Sequence, residues 1–341
     1  MNVAVENSEN GFGAKLRTWK QAMLTMHVPE GRPMDVVSRW LIVTRAAVIP
    51  MTLISGLIGG FLASHAAHPN WGYFALTLVG LSLAHACNNL INDYFDLLNG
   101  VDTSSAPRAL YAPHPVLAGW LTRSQLLAAI VVLNVADAAI MILLCLVRGW
   151  PVAAFAAAGL FVSVFYVAPP LRLKHRGLGE PGVFIVWGPL MICGTYYITA
   201  GELPGWVWIA SIPYAILVAS VLIGKHIDKI SYDSAQHVRT LPVMLGERRA
   251  LQLNEALMVL FYVITVALVL TGVIGIGALL VLGALPLLLR TLTFYSQPKP
   301  QTPPPGYPVW PLWYVSAAFL HTRRAGALLV LGLFLSAVFG R

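Results

Sequence analysis

Runs of about 20 apolar residues recur from end to end of this chain, each long enough to cross a bilayer as a helix. In hydrocarbon, a backbone satisfies its own N–H and C=O groups only in a helix or a closed barrel. Runs of this length select helices. The composition agrees, with 57% hydrophobic and only 11% charged residues, whereas soluble domains carry about 25% charged residues. Spans are placed at 40–64, 72–98, 124–147, 150–168, 181–200, 205–225, 250–272, 275–296 and 325–340. The stretch 307–320 is apolar but short, with two prolines near its start, and reads as re-entrant or interfacial. The expectation is an all-α polytopic membrane helix bundle of about nine transmembrane helices. A segment over 1–38 precedes one transmembrane domain over 39–341, and no soluble insert is large enough to form a second. The first 38 residues lack an apolar h-region, so no cleavable signal peptide is expected.

Lys and Arg set the orientation, because loops rich in them stay cytoplasmic. Of the 22 basic residues, all but Arg148 and Arg341 fall on one side of the expected bilayer. That side is expected to be the cytoplasmic face of the inner membrane, carrying the N-terminus and the site. The net charge of +8 then reflects topology and not nucleic-acid binding. Phe12, Leu16, Trp19, Met23 and Met26 follow helical spacing, with Lys15, Arg17 and Lys20 off the stripe. This suggests an interfacial helix on anionic lipid, and an unstructured tail with a chance pattern accounts for it nearly as well. The three cysteines lie inside apolar runs and read as small core residues.

The 14 acidic residues are unevenly placed. Asp93, Asp96 and Asp102 close the second span, and Asp228, Asp233 and Glu247 surround the loop after the sixth, on the same membrane face. Asn89, Asp93 and Asp96 are spaced four and three apart, so on a helix they point the same way. Two carboxylates on one face repel unless a cation lies between them. Oxygen donors of this kind suit Mg²⁺, whereas a softer metal calls for Cys or His. A solvated helix end would account for the Asp-x-x-Asp alone; the opposing Asp228 and Asp233 favour a site.

A third element is the loop Phe165–Phe184, where Pro169 and Pro170 end a helix and Arg172, Lys174 and Arg176 alternate. An extended strip would send all three to one side. Taken alone, the loop is accounted for by positive-inside anchoring; the functional reading is a clamp on phosphate oxygens. Carboxylates, cations and apolar walls together suit a substrate with a diphosphate head and a hydrocarbon tail. Carboxylate-held Mg²⁺ makes such a head a better leaving group. Tyrosines such as Tyr166 are candidates to face a developing carbocation.

These residues carry a resemblance. NNLINDYFD followed by NGVDT resembles the first aspartate-rich motif of the UbiA-type intramembrane prenyltransferases, and HPVLAGWLT resembles the segment that opens their next helix. The segment beginning FYVAPPLRLKHRGLGEPG, and RTLPVMLGE, are most similar to the 1,4-dihydroxy-2-naphthoate polyprenyltransferase branch, which serves menaquinone biosynthesis. The resemblance runs from about Trp40 to about residue 250. It implies a nine-helix bundle with a lateral opening to lipid. It also implies Mg²⁺-dependent ionisation of a polyprenyl diphosphate and attack by an acceptor on the allylic cation. By this resemblance Asn89, Asp93 and Asp96 would hold Mg²⁺–diphosphate, Lys174 would bind phosphate, and Asp233 would match the last Asp of the second motif. That second motif departs from the family pattern: Asp228 and Asp233 are five apart, about 140° round an ideal helix.

The resulting expectation is a membrane prenyltransferase with Asp93, Asp96, Asp228 and Asp233 as the catalytic, Mg²⁺-binding set. Asn89, Arg172, Lys174, Lys225 and Arg239 contact diphosphate, and Tyr166 lines the substrate site. The partners are a polyprenyl diphosphate, a small aromatic acceptor and the bilayer, with no nucleic acid. One rival is a membrane terpene cyclase, in which the cation closes on its own tail. Another is a secondary transporter of a small anion, which the lack of two related halves disfavours. Asp137, within the third span, matches no family motif and is left outside the site.

Overall fold

The computed structural model describes residues 11–26, 34–103, 108, 111–307 and 309–340. In chain order come α1 (Phe12–Thr25), α2 (Val36–Val43), α3 (Ala46–His65), α4 (Trp71–Leu98), α5 (Arg123–Arg148), α6 (Pro151–Phe165) and α7 (Gly179–Ala200). They are followed by α8 (Gly205–Ile227), α9 (Ile230–Ala235), α10 (Leu241–Leu245), α11 (Glu247–Leu270), α12 (Ile276–Tyr295) and α13 (Tyr314–Phe339). Eight of these, α3–α5, α7, α8 and α11–α13, are long and apolar enough to cross a membrane, and the 15-residue α6 is a shorter ninth. The bundle is all-helical: the one β-type pairing among the described residues is an isolated bridge between Arg176 and Arg239.

Burial sorts the helices into centre and rim. On α8, Pro213–Val221 is buried without interruption, which makes α8 the central helix. On α5, Val131, Val132, Val135 and Leu146 are all more than half exposed. An apolar surface of this kind is stable only against lipid. The α12–α13 contact depends on paired glycines: a Cβ on Gly332 would collide with the backbone of Gly277. Small residues let membrane helices approach to backbone contact. In α7 the stretch Val186–Cys193 widens into a π-helix around Pro189, the response expected where proline removes an N–H from the helix.

Two expected boundaries move. The first span does not run unbroken from residue 40: the chain bends at Arg45, whose φ is +53°, and this separates α2 from α3. The last span does not begin at 325, because α13 starts at Tyr314 and takes up much of the stretch read as re-entrant. Its first turn forms there because an acidic side chain from another helix end accepts its free N–H groups, as described below.

The aspartates of α4 lie near the end of a long helix. Its 28 residues span about 42 Å, against about 30 Å of hydrocarbon. The helix is therefore longer than the layer it crosses, and its last two turns carry Asp93 and Asp96, both buried inside the protein.

Candidate active site

A cavity of about 570 Å³ runs into the bundle. One end is polar, lined by Asn89, Asn92, Asp96, Lys174, Lys225 and Lys229; the walls beyond are apolar, with Met51, Phe155, Trp187 and Phe319 among them.

Asp93 is fully buried and held by two guanidinium groups. Arg108 donates to both its oxygens, Nη1 to Oδ1 at 2.6 Å and Nη2 to Oδ2 at 2.7 Å. Arg45 Nη2 adds a bond to Oδ1 at 2.5 Å. Arg108 Nη1 also reaches Asp102 Oδ2 at 2.7 Å. Burial by itself would raise the Asp102 carboxyl, but the Arg108 and Lys174 charges outweigh it and hold it at about 2. The left-handed bend at Arg45 is what turns that side chain back onto α4. Sequence reading counted Arg45 and Arg108 only as topology signals. Asp93 was expected to face a metal; here its oxygens accept the guanidinium bonds, and it is not among the cavity-lining residues.

Asp96 does line the cavity, and both its oxygens accept from Lys174 Nζ, at 2.9 and 3.1 Å. The loop that delivers Lys174 is not the extended strip expected. Leu173–His175 is a turn of 3₁₀ helix preceded by Arg172 at φ +45°, and the Lys174 N–H is bonded to the Tyr166 carbonyl at 2.9 Å. Alternation in an extended strand therefore does not apply. Of the three cations only Lys174 points inward; Arg172 braces Asn99 Oδ1 at 3.1 Å and Arg176 is exposed. Tyr166, which closes the helix before the loop, lines the cavity. Burial, and after it the charges of Glu180, Asp96 and Asp233, push its hydroxyl well above the usual phenol range.

The chain after α8 separates the two remaining aspartates. Asp228 turns away from the cavity to the start of α13 and accepts from the N–H groups of Trp313 (2.8 Å), Tyr314 (3.0 Å) and Val315 (3.0 Å). This is a helix cap supplied by a distant residue, and Lys299 lies 3.5 Å from the same carboxylate. Burial pushes the Asp228 carboxyl up to about 6 in spite of these partners. The expected metal-binding role for Asp228 thus meets a carboxylate already committed to α13. Asp233, on α9, is fully buried. Lys229 Nζ lies 3.2 Å from its Oδ1, yet neither oxygen has a hydrogen-bond partner. The helix breaks between Ile227 and Ile230, so the ideal-helix angle between the two aspartates does not hold. Lys225 and Asn89 line the cavity, whereas Arg239 is exposed and outside it.

Sequence reading missed further cavity residues. Asp137 and Asn134 of α5 lie on the wall. His226 also lines the cavity and pairs through Nδ1 with the buried Glu180 Oε1 at 2.6 Å. Glu180 is the one acid in the loop that carries Lys174, and that isolation was the available signal.

Comparison with known proteins places this cavity in context. The chain is 29% identical over 260 residues to a 1,4-dihydroxy-2-naphthoate octaprenyltransferase of Mycobacterium leprae, covering 75% of this chain and 84% of that one. It is 26% identical over 252 residues to a 2-carboxy-1,4-naphthoquinone phytyltransferase of Synechocystis, covering 74% and 78%. Its fold is shared with the apo structure of a UbiA homologue from Aeropyrum pernix, at a TM-score of 0.63 and 15% identity over 84% of this chain and 97% of that one. The fold is also shared with a UbiA homologue from Archaeoglobus fulgidus bound to DMAPP and Mg²⁺, at a TM-score of 0.56 and 16% identity over 85% and 99%. Residues 52–310 match the UbiA prenyltransferase family as a whole. The chain belongs to the UbiA prenyltransferase family.

Proposed function

We propose that this enzyme transfers a polyprenyl group from a polyprenyl diphosphate to a small aromatic acceptor of the dihydroxynaphthoate class, releasing diphosphate. The observation that carries this reading is one continuous cavity with a cation- and carboxylate-bearing end and apolar walls. The naphthoate octaprenyltransferase and phytyltransferase relatives support the acceptor class.

The donor set fits a divalent cation taken up with the substrate. Both Asp233 oxygens and Asn92 Oδ1 are buried without hydrogen-bond partners, which leaves oxygen donors of the kind Mg²⁺ takes. Among the described residues no three His, Cys, Asp or Glu side chains gather to hold a metal by themselves. An ion with one or two protein carboxylates, water and phosphate oxygens needs no such cluster. Asp96, which lines the cavity, and Asp233, which is buried next to the lining residue Lys229 and is not itself on the wall, would hold Mg²⁺, which when bound neutralises diphosphate and improves it as a leaving group.

The chain's own cations do the rest. Lys174, fixed by Asp96, and Lys225 on α8 present ammonium groups to the departing phosphate oxygens, where leaving-group charge develops. Arg45 is oriented toward the same end by Asp93. The Tyr166 ring stays neutral and offers an aromatic face to an allylic cation. Apolar walls hold the prenyl tail and exclude water, so a ring carbon of the acceptor captures the cation and then releases the group it carried, a proton or CO₂, which restores the aromatic ring. The basic residues gathered on this face support an inner-membrane location with the site cytoplasmic.

The test is diphosphate release by the purified enzyme with Mg²⁺ and geranylgeranyl diphosphate, with and without 1,4-dihydroxy-2-naphthoate. Acceptor-dependent release with a prenylated product is expected. Release without acceptor and a cyclic product would replace this reading with that of a cyclase.

A further inference from the structure

The polar end of the cavity is built from matched charges: Arg45 and Arg108 on Asp93 and Asp102, Lys174 on Asp96, Lys229 on Asp233. Two cations on the cavity wall make no ion pair among the described residues: Lys225, at the polar end with Lys174 and Lys229, and Arg323. Arg323 lies nine residues into α13, about 14 Å along the axis from Tyr314. It is half-buried, faces the cavity together with Phe319 and Leu320, and makes no ion pair among the described residues. Its guanidinium lies over the Phe319 ring, 5.4 Å from the centroid. Its neighbour Arg324 is exposed on the outside of the helix.

The two arginines therefore do different work. Arg324 faces outward, where a long side chain can extend along the helix toward a polar layer. Arg323 is turned inward, where an unpaired charge against apolar walls is costly unless an anion meets it. The diphosphate head of a donor already has Lys174, Lys225 and Lys229 at the polar end. A planar guanidinium resting on an aromatic ring suits a different ligand: a flat ring bearing a carboxylate, bound in bidentate fashion with the ring beside Phe319. We propose that Arg323 anchors the carboxylate of the aromatic acceptor and so sets the enzyme's preference for a carboxylated ring. The identity of the acceptor rests on the transferase reading above; the anion site itself does not.

The experiment separates the two. The enzyme is placed in phosphatidylcholine nanodiscs, and binding of 1-hydroxy-2-naphthoate is compared with that of 1-naphthol, the same ring without the carboxylate. The wild type is expected to bind the carboxylate at least about tenfold more tightly, the scale of one charge-assisted hydrogen-bonded contact. Arg323→Gln should erase that preference and leave 1-naphthol binding unchanged, Arg323→Lys should keep part of it, and Arg324→Gln should keep all of it. In turnover, Arg323→Gln should raise KM for the acceptor and not for the prenyl diphosphate. An unchanged preference in Arg323→Gln overturns the proposal. So does a loss that falls on geranylgeranyl diphosphate, or competition by added phosphatidylglycerol, which would make the site one for lipid phosphate. Arg323-dependent binding without any prenylated product would retain the anion site and overturn the acceptor reading instead.

Discussion

Lys174 Nζ lies 2.9 Å from Asp96 Oδ2, across 78 residues of sequence. The pair joins the end of α4 to the loop before α7 at the polar end of the cavity. Lys174→Ala and Asp96→Ala are each expected to lower kcat for diphosphate release by about 100-fold or more, the scale of one lost electrostatic contact to a developing charge. Arg172→Ala and Arg239→Ala, whose side chains stand outside the cavity, should cost less than about threefold. An equal loss at Arg172 and Lys174 would show that the loop acts as a whole and not through Lys174.

Asp228 and Asp233 should separate in the same way. Asp228→Asn weakens the cap on α13, so it should lower the melting temperature by several degrees, corresponding to about 1–2 kcal/mol. The folded fraction should keep most of its activity. Asp233→Asn should leave the melting temperature near wild type and raise the Mg²⁺ concentration for half-maximal activity by about tenfold, a loss of one carboxylate ligand. If Asp228→Asn changes the Mg²⁺ requirement and Asp233→Asn does not, the assignment is reversed.

The Arg108–Asp102 link predicts an acid transition. The Asp102 carboxyl is lowered from 3.8 to about 2, so the folded state binds its proton less readily than the unfolded state. Its contribution, about 2 kcal/mol, is fully present above pH 4 and is lost as pH falls towards 2. Thermal unfolding in detergent across that window should show the loss. Asp102→Asn should flatten the stability profile there and leave it unchanged in shape above pH 5.

Gly332 tests the packing that holds α13 against α12. Gly332→Leu puts a side chain where the Gly277 backbone lies, so melting temperature should fall, with a cost of about 1–3 kcal/mol. Substrate KM values should hold. A stable Gly332→Leu protein would mean that the two helices can part without cost.

Much of this architecture could be read from the linear order of residues. A span is a local property: about 20 apolar residues bury their own backbone polarity in hydrocarbon wherever they occur. The nine apolar segments were therefore legible, with α6 and the start of α13 the weakest, because a 15-residue helix and a proline-rich approach blur the local signal. Asn89 and Asp96 could be placed on one face because positions seven apart on a helix lie just under two full turns from each other. Lys174 was singled out by the family resemblance, since positive-inside anchoring accounts for the loop taken alone.

Which charges meet was not legible, because those contacts depend on how helices far apart in sequence pack. Arg45 reaches Asp93 only through a left-handed bend that no spacing rule marks. Arg108 joins Asp93 to Asp102 from within a loop without periodicity. Asp228 and Asp233 look alike in sequence, yet one caps α13 and the other is ion-paired with Lys229 without a hydrogen bond, because the chain breaks between them and sends their side chains to different neighbours. Arg323 and Arg324 are adjacent in sequence and about 100° apart around a helix. Packing against the cavity, and not residue type, turns one inward and leaves the other outside. Local hydrophobicity sets which segments cross the membrane; side-chain partners are chosen by long-range packing, and the chemistry of this enzyme depends on those partners.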